Sequence, residues 1–148
     1  MTVPRTTTAP NRTSTTGRGR DDALLRTALR VDAAVTGLNG VGYLVAAPLL
    51  DDVLGMPAGP LAGIGGFLLA FAVAVWTVGA RPMISTGAAA AVVAANLLWV
   101  VASIAAVVGD WGSPTTLGTA WIVLQAAVVA GFAGVQSLGL RNAARAVR

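Results

Sequence analysis

Ten side chains carry whatever chemistry this chain can perform inside an otherwise apolar sequence. Asp32, Thr36, Asn39 and Tyr43 recur at i, i+4, i+7 and i+11, which puts all four on one face of a helix. Asn96, Trp99 and Ser103 share a face of a second apolar run; Trp121, Gln125 and Gln136 share one, with Phe132, on a third. Amides, hydroxyls, indoles and one carboxylate are hydrogen-bonding groups, suited to joining helices or lining a path for a small polar or protonic species. They are not a catalytic set. The sequence contains no Walker loop, serine nucleophile elbow, HExxH run or paired carboxylates. Cys and His are both absent, which removes disulfides, thiol relays, palmitoyl anchors and thiolate or imidazole metal and haem ligation, and with them four-helix quinone or thiol oxidoreductases. The expectation is a non-enzymatic protein with no cofactor and no metal site.

These residues sit in a chain of 148 residues that is 55% hydrophobic and 11% charged, too apolar for a soluble domain of that length. Every basic residue is Arg and every acidic one Asp. Four apolar segments of about 20 residues or more, the length needed to cross a bilayer, run over 31–50, 61–80, 83–108 and 119–138. Asp51, Asp52 and a Gly/Pro-rich run separate the first two, and Pro60 suits the first helical position of the second. Arg81 and Pro82 separate the middle pair, and Asp110, Trp111, Gly112 and Pro114 the last. The fold expected is all-α, an integral membrane antiparallel four-helix bundle. Residues 1–20 are rich in Thr, Pro, Arg and Gly, lack an apolar run, and read as a disordered cytosolic tail rather than a signal peptide. Asp21 and Asp22 are placed to begin the first helix, where carboxylates suit the free amides and the dipole.

Of the ten arginines, six precede the first span, Arg81 lies between the second and third, and three follow the fourth. Loops on the other side carry only Asp51, Asp52 and Asp110. That distribution obeys the positive-inside rule with both termini cytoplasmic, and it accounts for the +4 charge without nucleic acid as a partner. Trp111 and Trp121 then fall near the outer interface and Trp76 near the inner one.

Small residues at helical spacing supply close packing, which drives helix association in lipid: Gly37 and Gly40; Gly59 and Gly63; Ala126, Ala130 and Gly134; and the alanines of 88–95. Counting ~1.5 Å per residue from each span's centre puts Asn39 and Asn96 together near the midplane. The same count puts Tyr43, Trp99, Ser103 and Gln125 in the outer half, with Asp32 and Gln136 roughly 10–12 Å inward. An unpaired amide in hydrocarbon is costly, so Asn39 and Asn96 are expected to face each other or a shared neighbour. Asp32, near a helix end, is expected to pair with Arg81 or Arg141.

The stretches RVDAAVTGLNGVGYLVAAPLL (30–50), NLLWVVAS (96–103) and GTAWIVLQAAVVAGFAGVQSLGLRN (118–142) resemble uncharacterised small four-helix membrane proteins of high-GC actinobacteria. The resemblance implies a bacterial cytoplasmic membrane and supplies no catalytic residue. Comparison with small multidrug exporters fails, because those resemble chains with a membrane Glu and little charge bias. The sequence favours an accessory or interaction protein whose partners are the bilayer and another membrane protein or a second copy. The alternative is a small-molecule or proton-coupled transporter that uses the polar seam. Reporter fusions before Asp21 and after Arg148 are expected to read cytoplasmic, and insertions at Asp52 or Gly112 to read external; a cytoplasmic signal from either loop contradicts the four-span topology.

Overall fold

The computed structural model describes residues 15–145, with side-chain surroundings from Ala23 to Arg145. It is an all-α bundle of four consecutive antiparallel helices: α1 (Thr15–Leu54), α2 (Ala58–Ala80), α3 (Thr86–Val108) and α4 (Thr116–Arg145). All four are long and apolar enough to cross a membrane. Their outer surfaces agree with that reading. Leu38, Val45, Leu49 and Val108 are each at least three-quarters exposed, among a belt of large apolar side chains that suits lipid and not water.

The helix boundaries differ from those expected. α1 starts at Thr15, six residues before Asp21, so the segment 15–20 is helical; the rest of the expected tail, 1–14, lies outside the described residues. α1 also runs through Pro48 and through Asp51 and Asp52, ending at Leu54. Asp51 remains a capping group from there, since its Oδ2 accepts the Ala58 amide at 3.1 Å. Pro57 is the cap of α2, so Pro60 is its third helical residue rather than its first; no amide is missed there, because the opening amides of a helix lack internal partners. Ser85 caps α3 by accepting the Ala88 amide.

Each end of the bundle has its own tie. At one, Gly55 turns the chain at φ +70°, and a side chain there would meet the Thr115 amide. Thr115 then bridges α1 and α4: its N–H donates to Leu54 O at 3.0 Å, its hydroxyl to Val53 O at 2.7 Å, and the same oxygen accepts the Gly118 amide. Carbonyls that α1 leaves unpaired are thus satisfied by the start of α4. At the other end the Arg26 guanidinium donates to the carbonyls of Gly79, Arg81 and Pro82 at 2.6–3.0 Å, closing the C-terminus of α2 with a cation where the dipole favours one. Arg30 lies over the Trp76 ring at 5.9 Å.

α1 packs along α2 and also against α4, and α4 carries α3; α2 and α3 scarcely touch. The α1–α2 crossing rests on Gly40 and Gly65. A Cβ on Gly65 would stand 2.8 Å from Gly40 O, and one on Gly40 would stand 2.9 Å from Gly65 O. Gly118 approaches the Leu54 carbonyl more closely still, and Gly139 lies against Leu25. Of the expected small-residue sites, Gly40 is at a crossing and Gly37 is in contact with Ala72, whereas Gly59, Gly63 and Gly134 face open space. Gly65→Ala is therefore expected to lower stability by about 1–3 kcal/mol through overpacking. Gly63→Ala is expected to be neutral or slightly stabilising, since it only gains helix propensity. Melting curves in one detergent separate the two, and equal melting temperatures contradict the crossing.

Candidate functional site

The polar residues of α1, α3 and α4 meet in two separate layers. The deeper one is centred on Asp32, a fully buried carboxylate. Thr36 Oγ1 donates to its Oδ1 at 3.1 Å; Asn96 Nδ2 and Gln136 Nε2 each donate to its Oδ2 at 2.8 Å. Asn96 Nδ2 also donates to Gln136 Oε1 at 3.3 Å. Asn96 and Gln136 are buried as well, and Thr36 nearly so. One acceptor thus gathers donors from three helices, and apolar packing by Leu29, Ala33, Val75 and Val92 surrounds the inner end. Hydrogen bonds to a carboxylate in such surroundings are stronger than neutral ones.

The second layer, toward the α1–α2 turn, is a chain of neutral groups. Asn39 Nδ2 donates to Gln125 Oε1 at 2.7 Å, Gln125 Nε2 donates to the Tyr43 hydroxyl at 3.2 Å, and Trp121 Nε1 donates to the same hydroxyl at 2.7 Å. Trp121 lies on the expected face of α4, but its part in this chain was not legible from an indole's usual preference for an interface.

Two expected pairings do not form. Asn39 and Asn96 belong to different layers, because Asn96 reaches back to Asp32 and Asn39 turns to α4. Depth counted along a helix depends on where its span is centred, and the observed ends differ from those expected, α1 running on to Leu54 and α4 starting at Thr116. Nor does Asp32 pair with Arg81 or Arg141; its partners are a hydroxyl and two amides. Arg81 is exposed beyond the end of α2, and only its backbone carbonyl takes part in the Arg26 tie.

Where α2 and α3 separate, a cavity of about 420 Å³ opens beside both layers. Thr36, Asn39, Tyr43, Asn96, Trp99, Ser103 and Gln125 reach its wall, so seven of the ten side chains singled out above line it; Asp32 and Gln136 stand behind Thr36 and Asn96, and Trp121 behind Tyr43. Apolar walls come from Ile64, Phe67, Leu68, Phe71, Ile122 and Val129. Phe67 of α2 stacks on Trp99 of α3 at 5.9 Å and 13° and on Phe71 at 6.3 Å, forming the bridge across the gap. The aromatic residues of α2 were absent from the expected seam; an apolar ring gives no polar spacing signal. No family model, curated protein or solved structure matches this chain.

Asp32→Asn removes the charge, and with its remaining oxygen turned to Asn96 and Gln136 its NH2 must donate to Thr36 Oγ1 in place of the bond Thr36 now donates. It is expected to lower stability by about 2 kcal/mol, the scale of a hydrogen bond to a charged group, whereas Thr36→Val costs about 1 kcal/mol or less. Thermal unfolding of both variants checks the order; an unchanged melting temperature for Asp32→Asn contradicts the hub.

Proposed function

We propose that this chain is a non-enzymatic protein of the bacterial cytoplasmic membrane, with both termini cytoplasmic, that binds a small molecule among its helices and belongs to the carrier or transporter class. Orientation is supported by the arginines, and the bacterial assignment by the resemblance to actinobacterial four-helix membrane proteins. The observation that carries the functional reading is the 420 Å³ cavity walled by seven seam residues. Its volume is that of a site for a drug-sized ligand, and its composition, mostly apolar with a few convergent polar groups, is that of such sites.

An accessory role, in which the polar groups only join helices, is the weaker reading. Glue of that kind calls for facing groups that satisfy one another in a packed interior. The heart of the deep layer, Asp32 with Gln136, fits this description, since neither reaches the cavity wall. The outer layer does not, because Asn39, Tyr43 and Gln125 line the space between α2 and α3, as Thr36 and Asn96 do at the margin of the deep layer. Asp32 is accordingly proposed as the fastening of the bundle and not as a proton carrier at the cavity wall.

The test is extraction of the protein purified in mild detergent, followed by mass spectrometry of what co-purifies. A single lipophilic species enriched to about one per chain is expected, and Ala102→Phe, which fills the wall of the cavity, is expected to lose it while keeping the melting temperature. Recovery of bulk membrane lipid alone, in the same proportions from both proteins, contradicts the reading.

A further inference from the structure

The wall of the cavity has three properties that restrict its occupant. Among the described residues it carries no Asp and no Arg, and Asp32, which is bonded to the lining residues Thr36 and Asn96, spends both carboxylate oxygens on them and on Gln136. A charged ligand would be desolvated there with no counter-ion. It presents flat apolar surface in the Phe67–Trp99 stack, at the place where α2 and α3 part and Phe67 is 56% exposed. It also holds a nearly buried donor that is unused. The Tyr43 hydroxyl accepts from both Trp121 and Gln125, which occupies its acceptor capacity, while its own proton meets no acceptor among the described residues. Tyr43 is only 8% exposed and lies on the cavity wall. A hydroxyl proton held so deep without a partner is costly, and the two donors aimed at its oxygen turn the proton away from them.

Resting on the cavity reading above, we infer that the site takes an uncharged amphiphile from the bilayer, entering between α2 and α3, whose acceptor oxygen, of carbonyl type, receives the Tyr43 proton while its apolar body lies against Phe67 and Trp99. Trp121 and Gln125 are positioning residues: by donating to the phenol oxygen they orient and polarise its O–H. Binding completes a chain that runs from Asn39 through Gln125 to Tyr43 and ends on the ligand.

The experiment uses the full chain in lipid nanodiscs and para-decylbenzophenone, an uncharged ketone that is also photoreactive. Its competitors are para-decyldiphenylmethane, in which a methylene replaces the carbonyl, and a benzophenone bearing a carboxylate. Saturable labelling of wild type is expected, with peptides of α2 and α3 modified. The hydrocarbon is expected to compete with isotope-labelled probe about tenfold more weakly than excess unlabelled para-decylbenzophenone, the factor of one hydrogen bond, and the carboxylate not to compete. Tyr43→Phe is expected to erase the difference between ketone and hydrocarbon. Trp121→Phe, which removes a donor to the phenol oxygen but leaves its proton, is expected to retain most of that difference even if stability falls. Absence of saturable labelling of wild type, or a concentration-dependent dimer that excludes the probe, overturns the cavity reading and this inference together. Saturable labelling with no preference for the ketone, as when a water takes the Tyr43 proton, or a preference that survives Tyr43→Phe, overturns this inference alone.

Discussion

A carboxylate surrounded by helices in an apolar medium must be met by donors, and the arrangement of this bundle follows from how Asp32 is met. Thr36 comes from its own helix one turn along, but the other two donors, Asn96 and Gln136, must be delivered by α3 and α4. That requirement fixes the rotation of three helices about their axes and their relative height. Close packing then works within the frame: Gly139 against Leu25 and Gly118 against Leu54 bring α4 onto α1 at both ends of their contact. The Thr115 tie and the Arg26 tie complete the ends without adding any charge to the interior.

α2 is held by a different principle. It offers no polar side chain to the seam and is fastened to α1 by the Gly40–Gly65 approach and by Arg26 across its final carbonyls. Since α3 is oriented by Asp32 and α2 by α1, nothing requires α2 and α3 to meet, and they diverge around the ring stack of Phe67 and Trp99. The cavity is the space left by that mismatch. Its neutrality has the same origin, because Asp32, the one buried acid among the described residues, is consumed in fastening the bundle and is hidden behind Thr36 and Asn96. The outer chain of Asn39, Gln125, Tyr43 and Trp121 is therefore released from a purely structural duty.

The part of this legible in the sequence is the part governed by helical period and by hydropathy. Four spans and the common face of Asp32, Thr36, Asn39 and Tyr43 follow from spacing alone, as does the participation of α3 and α4 through Asn96, Gln125 and Gln136. Partner choice was not legible. Arg81 and Arg141 looked available to Asp32 because long basic side chains reach along helix ends, but amides from facing helices satisfy a buried carboxylate without a second desolvated charge. The Asn39–Asn96 pairing does not form because Asn96 is drawn to Asp32 and Asn39 to Gln125, and spacing along one helix does not tell which facing group a side chain will reach. Gly65 went unnoticed among many glycines, since spacing tells which glycines share a face and not which face meets another backbone; the open surroundings of Gly59 and Gly63 make the same point.

The bundle rests on Asp32 joining three helices as one unit that is energetically separate from the outer layer. A double-mutant cycle on unfolding free energy measures this directly, with Asp32→Asn combined in turn with Gln136→Leu and with Gln125→Leu. Groups in direct contact couple by about 0.5–3 kcal/mol, and groups without shared partners add to within about 0.5 kcal/mol. The predicted result is coupling of at least about 1 kcal/mol for the Asp32–Gln136 pair and additivity for Asp32 with Gln125. Additivity in the first cycle, or equal coupling in both, would contradict it.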